Sequence, residues 1–169
     1  MARETKKDIY ESFGIQFDGE KIYCEALDMW ISPLLINGNE KIGRGVWHFS
    51  TLAGNGVVSE NIVNAVIGSA VLGMSMDELK AACGGTCACN CPGCYAQTGC
   101  YEFNSTIVSN ARKSLLSRIA LEWTERAIKA QIKADRIEYM RIHASGDFVS
   151  AEYVKMWSRI AKEYPNVIM

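Results

Sequence analysis

The sequence predicts an α/β fold, either a partial (β/α) barrel or an open parallel sheet, preceded by short N-terminal strands and a hairpin. Three observations lead there. Residues 137–143 read as a strand lying between a long helical pattern and a second helix. A further strand begins at Val167, and a glycine-rich cysteine loop follows a strand at residues 45–50. Loop, helix, strand, helix, strand in succession implies parallel pairing with crossover helices. At 169 residues the chain is one domain, with residues 1–44 supplying strands and a hairpin and residues 45–169 the cysteine loop and β/α units.

Each element has a local cause. Residues 3–13 form a short helix presenting Ile9 and Phe13, ended by Gly14. Residues 15–17 and 22–24 flank an Asp18-Gly19 turn, and residues 34–36 lead into Asn37-Gly38, the stronger hairpin signal. Residues 45–50, GVWHFS, make the strand that enters the core; His48 on it reads as a packed or hydrogen-bonded histidine. From Ser59 the period becomes helical. Ile62, Val63, Val66, Ile67, Ala70 and Val71 share a face, and Gly73 lies just past the end. Ser75 and Glu78 have capping-box spacing for a second short helix that leads into the cysteines.

The longest helical pattern comes next. Ile107, Ala111, Leu115, Ile119, Trp123, Ala127 and Ala130 recur every three or four residues, with Arg112, Lys113, Arg118, Arg126 and Lys129 on other faces. Asn104 or Ser105 caps it, and a break near Ser117 is compatible with the pattern. After the strand at 137–143, Ser150 caps a helix burying Tyr153, Met156, Trp157, Ile160 and Ala161, and Pro165 stops it.

Composition narrows the function classes. The net charge of −1 gives no general reason to expect nucleic acid, although residues 105–136 carry seven basic and three acidic side chains. The N-terminus lacks the apolar core of a secretory signal, and the apolar stretch at residues 62–76 is too short to span a bilayer. A cytoplasmic location with reduced thiols follows, in which clustered cysteines bind metal or do redox work.

The chemistry is concentrated in residues 83–100, CGGTCACNCPGCYAQTGC. This stretch holds six of the seven cysteines, and no charged side chain occurs between Lys80 and Glu102. Cys87, Cys91 and Cys94 are spaced C-x3-C-x2-C. Soft thiolates select iron–sulfur clusters or zinc, and three ligands on a [4Fe-4S] cluster leave one iron open. Gly84, Gly85, Gly93 and Gly99 would let the backbone wrap closely around a cluster and aim N–H groups at its sulfurs. Two alternatives stay open. Cys83, Cys89 or Cys100 could close the cluster as a fourth ligand, or four of the six could hold zinc. Cys24, far away in sequence, reads as a small core residue.

The loop, the helix after it and a strand ending in a small-Gly-acid turn resemble the first two β/α units of a radical S-adenosylmethionine (SAM) barrel. The resemblance implies a [4Fe-4S] cluster on Cys87, Cys91 and Cys94 with SAM on the open iron. It also implies Ser145, Gly146 and Asp147 at the methionine end and Tyr95 as an adenine contact. Gly93 stands where an aromatic usually precedes the last cysteine, and Asp147 stands in place of glutamate. His143 lies beside that turn, as a cofactor or substrate contact or bonded to the sheet backbone, and Arg141 is expected to share its strand face, in a structural ion pair or, as the alternative, binding a carboxylate. More narrowly, CPGCYA at residues 91–96 with RIHASGDFVSAEYVKMWSRIAKEYPNV at residues 141–167 is similar to the phage and bacterial gene product 88 family, over roughly residues 37–169. That likeness implies a host-cytoplasmic location for a phage-encoded member, and no activity. The next strand begins as the chain stops, so a partner or a missing C-terminal segment is expected to complete the sheet.

Two function classes result. One is a radical SAM-type iron–sulfur enzyme of unknown substrate. The other is a zinc-stabilised module that uses the basic helix at residues 105–136 on nucleic acid.

Overall fold

A computed structural model of the chain describes residues 4–38, 43–88 and 94–169, apart from the side chains of Tyr95 and Cys100. Cys89 and Cys91 therefore lie outside the described residues, as does Gly93. Among the described residues there are six α-helices and two small sheets in a mixed α/β arrangement, with no closed barrel.

The first third builds a clasp. In α1 (Lys6–Ser12), Thr5 and Asp8 form a capping box, and Gly14 turns the chain at φ 69°. Phe17 bridges Ile22, so the turn at Asp18-Gly19 forms as expected. A second hairpin, β1 (Ile22–Cys24) with β2 (Met29–Ile31), closes through Asp28 in the left-handed region at φ 48°. The sequence reading missed β2. The Gln131 side chain then welds this part to the rest, accepting from Leu35 N–H at 2.7 Å and donating to Leu35 C=O at 2.8 Å.

The second sheet carries the functional end. β3 (Ile36–Asn37) runs antiparallel to β4 (Val46–Phe49), and β4 runs parallel to β5 (Tyr139–Ile142). Ile168 bridges Tyr139 in parallel on the outer side of β5, where the expected third strand begins. Asn37-Gly38 does not make a tight hairpin turn. The β3–β4 connection is longer, with Gly38 N–H donating to Val46 C=O at 2.9 Å.

α2 (Glu60–Ile67) ends at Gly68 in the left-handed region, φ 59°, rather than at Gly73. Val71, expected on its apolar face, is 95% exposed. α3 (Met76–Ala82) starts from the expected capping box, with Ser75 Oγ and the Glu78 carboxylate each accepting from the other's backbone N–H. The long helical pattern divides at Ala120 into α4 (Asn104–Ile119) and α5 (Leu121–Asp135), close to the expected break. Phe103, not Asn104 or Ser105, occupies the cap position of α4, without a side-chain hydrogen bond. α6 (Ala151–Glu163) starts at Ser150, whose Oγ accepts from Tyr153 N–H at 3.1 Å, and stops ahead of Pro165. It buries Tyr153, Met156, Trp157 and Ile160 as expected, but Ala161 is exposed.

The capping box of α3 is accessible to a clean stability measurement. Replacing Ser75 by alanine should cost about 1 kcal/mol, seen in urea melts as a lower midpoint with an unchanged slope.

Candidate metal and cofactor site

The site is built at the carboxyl ends of β4 and β5, where functional loops of parallel sheets lie. Two helices separate β4 from the cysteines in sequence, yet the cysteine loop returns to the segment that leaves β4. Gly85 N–H donates to Gly56 C=O, Thr86 N–H to Leu52 C=O and Cys87 N–H to Gly54 C=O, at 2.9, 3.0 and 2.9 Å. A Cβ on Gly84 would lie 2.6 Å from Gly56 C=O, and one on Gly85 would lie 2.1 Å from Gly54 C=O. These two glycines therefore permit backbone-on-backbone packing, a different task from the cluster wrapping expected of them. Arg118 clamps the same start of the loop from α4, donating to Ala82 C=O at 2.8 Å and Gly85 C=O at 3.3 Å.

The turn after β5 joins from the other side. Thr86 Oγ1 donates to Leu52 C=O (3.1 Å), lies 2.8 Å from Thr51 Oγ1 and accepts from Asp147 N–H (2.7 Å). Ser145 Oγ donates to Thr51 C=O at 2.9 Å, and Thr51 N–H donates to Ser145 C=O at 3.2 Å. Gly146, at φ 75°, admits no side chain, because a Cβ there would lie 2.0 Å from Thr51 Oγ1. One buried polar joint thus ties the tail of β4, the start of the cysteine loop and the turn after β5.

The expected site residues fall into separate groups. Cys87 and Cys94 are half-buried free thiols on either side of Cys91 in sequence. Among the described residues no group of three metal-binding side chains occurs. Cys83 and Cys24 are wholly buried in the core, and burial pushes both thiols up to about 11. Ser145 is buried and its hydroxyl is engaged in the joint. Asp147 is exposed, with Oδ1 accepting from Phe148 N–H at 2.8 Å and Oδ2 free of partners among the described residues.

His143 lies past the end of β5 at φ 61°, so the two-residue period that would place it on the face of Arg141 is broken. Its ring packs against Phe49, Phe148 and Tyr153. Nδ1 lies 3.3 Å from Thr51 Oγ1 and 3.4 Å from Ser145 C=O, which places the proton on Nδ1. Nε2 is left buried as an unpartnered acceptor. Arg141 is exposed and makes no ion pair among the described residues, contrary to the expected pair; it stands opposite His48 in the β4–β5 register. His48 is half-buried with Nδ1 3.1 Å from Ser50 Oγ, as expected of a hydrogen-bonded histidine.

A family model described as gene product 88 matches residues 33–169. The chain belongs to the gene product 88 family. No curated protein and no solved structure matches it. The gene product 88 match takes in the second sheet, the cysteine loop and α2 to α6, and leaves out α1, β1 and β2. No helix among the described residues is long and apolar enough to cross a membrane.

α4 carries what the hydrophobic period hid. Asn110, Lys113, Ser114 and Ser117 are all buried, at positions i, i+3, i+4 and i+7 of one face. Ser114 Oγ accepts from Leu52 N–H at 3.0 Å, and Asn110 Nδ2 donates to Ser145 Oγ at 3.4 Å, so this face braces the joint. The basic side chains expected on the outside are mostly committed within the fold. Arg112 donates to Val66 and Ala65 carbonyls, Arg126 to Phe13 and Gly14 carbonyls and to Glu25, and Lys129 pairs with Glu125 and Glu163.

Replacing Thr86 by valine keeps the shape but strands Asp147 N–H and the Thr51 hydroxyl. The expected loss is about 2–3 kcal/mol by chemical denaturation. A pH effect should accompany the site. Burial, then Lys113 and Arg141, hold the His48 imidazole down at about 4 in the folded chain, and burial holds His143 below its ordinary value. The unfolded chain therefore binds more protons between its ordinary histidine value and the folded one. The histidine contribution is complete above about pH 6.5 and is lost as pH falls towards 4. Melting temperatures should fall across that window, and His48→Gln should flatten the fall.

Proposed function

We propose that this gene product 88 chain is an iron–sulfur protein of the radical SAM type. Cys87, Cys91 and Cys94 would hold a [4Fe-4S] cluster, with the turn Ser145-Gly146-Asp147 facing the methionine end of SAM. The supporting observation is the Thr86 joint, which brings the start of the cysteine loop and that turn to the same carboxyl end of a parallel pair. The donor set fits such a group. Two described thiols are free and half-buried, the third lies between them in sequence, and soft sulfur ligands suit iron–sulfur centres.

Held by Cys87, Cys91 and Cys94, such a cluster would supply the single electron for reductive cleavage of SAM and so radical chemistry on a substrate. The residues of the chain bind and orient. Asp147 Oδ2 is available to accept from the ammonium of the methionine end, Gly146 lets the turn seat against Thr51 and Thr86, and Ser145 holds the turn without being a ligand. Cys87 is fixed through its backbone, so its sulfur is presented from a rigid start. Tyr95 directly follows the last cysteine of the motif and is the adenine contact in this reading.

Anaerobic purification with iron, sulfide and zinc analysis tests the proposal. About four iron and four sulfide per chain with a broad band near 400 nm are expected, and SAM should be cleaved once a reductant is added. Cys91→Ala should remove the iron, whereas Cys83→Ala should keep it. One zinc per chain with no iron would refute the reading and make the loop a structural knuckle.

A further inference from the structure

A cleft of about 390 Å³ runs along the first turns of α4, within the size range of small-molecule sites. One wall is the segment after β2, with Ser32, Pro33 and Leu34; the other is α4, with Ser105, Ser109, Arg112 and Lys113. Among the described residues its lining holds two cations and no carboxylate. At its end the first amide groups of α4 are uncapped among the described residues. Phe103 contributes no side-chain acceptor, and Ile107 N–H is the first to close back on the chain, to Phe103 C=O at 2.9 Å.

An independent feature of the same cleft points to a ligand. Lys113 is 3% exposed, and its Nζ, 5.6 Å from the centroid of the Phe49 ring, has no hydrogen-bond partner among the described residues. Lys113 lines the cleft with Ser109 and Arg112, and helical side chains lean towards the amino end of their helix, the end at which the uncapped turn lies. An ammonium group in such surroundings is costly unless an anion meets it. Burial alone lowers the Lys113 amine to about 7, and a bound oxyanion would restore its charge. Arg112 commits Nε and Nη2 to the Val66 and Ala65 carbonyls, and Nη1 has no hydrogen bond among the described residues.

We infer that this cleft binds the phosphate group of a small phosphate ester, through the uncapped amino end of α4, the hydroxyls of Ser32, Ser105 and Ser109, and Lys113. A phosphoryl group presents three tetrahedrally spread oxygens and up to two negative charges to amide, hydroxyl and ammonium donors, against two coplanar oxygens and one charge on a carboxylate. Leu34 and Val108 give the organic part an apolar wall. This site involves none of the cysteines and stands whether or not the chain holds a cluster.

The test is calorimetric titration of the full chain at low salt and near-neutral pH with inorganic phosphate, phenyl phosphate and acetate. Amide chemical shifts would be followed in the same solutions. Saturable one-site binding of both phosphates is expected, with shifts centred on residues 104–109. Lys113→Met should weaken it about tenfold or more and Ser109→Ala a few-fold. The methionine variant should also melt higher than the parent, since it removes a buried amine without a partner. Should that variant fail to fold, the Ser109 variant and the shift map decide the matter. No saturation by about 50 mM phosphate, acetate binding as tightly, or shifts elsewhere would overturn the assignment.

Discussion

The Thr86 hydroxyl is the interaction on which the functional end of the molecule depends. One oxygen donates to Leu52 C=O and accepts from both the Thr51 hydroxyl and Asp147 N–H, so three segments distant in sequence share a single buried group. Parallel pairing of β4 and β5 only ensures that their ends point the same way. It does nothing to return a loop that two helices have carried off. The return is made by Gly85, Thr86 and Cys87 donating to the chain just after β4, and it needs glycine as much as hydrogen bonding. Any side chain at Gly84, Gly85 or Gly146 would occupy space already filled by carbonyl oxygens or threonine hydroxyls. Sterics and hydrogen bonds therefore specify the same arrangement, the kind of agreement that gives one structure rather than several.

Much of the frame was legible in the sequence because its signals are local. The box at Ser75 with Glu78, the cap at Ser150 and the stop at Pro165 act within one turn of helix, and residues 137–143 stand out as a short strand between helical periods. The parallel bridge of Ile168 to β5 then follows from the single crossover helix, α6, between them. What was not legible is tertiary. Gly68 ends α2 because it takes a left-handed conformation there, while the apolar period runs on to Val71, which solvent receives. The β1–β2 hairpin closes through Asp28 at positive φ, with none of the Asn-Gly or Asp-Gly signals that announce such turns.

The candidate site was legible in its residues and not in their division of labour. Ser145-Gly146-Asp147 reads as one motif, yet Ser145 points into the joint, Gly146 is required by close approach and only Asp147 faces outward. His143, two residues after the exposed Arg141 of β5, leaves the ladder and packs its ring against Phe49, Phe148 and Tyr153. Spacing reports which residues are neighbours, and the dihedral at His143 decides which way they face.

α4 shows why a helix should not be read from its apolar stripe alone. Ala111, Leu115 and Leu116 pack as the period demands, but Asn110, Lys113, Ser114 and Ser117 are buried as well, on a polar face turned inward. Asn110 and Ser114 are hydrogen-bonded to the segments of the joint, so their burial is compensated. Lys113 Nζ is not, among the described residues, and such a stranded group costs about 1–3 kcal/mol that methionine there would not. Folding alone supplies no reason to retain it. The same helix begins four residues after Cys100, offers uncapped amides at that end, and is clamped through Arg118 to the start of the cysteine loop. A helix placed so, polar where packing would favour apolar side chains, connects the joint to a ligand site along its own axis; local rules of stability fail where chemistry is being held in place.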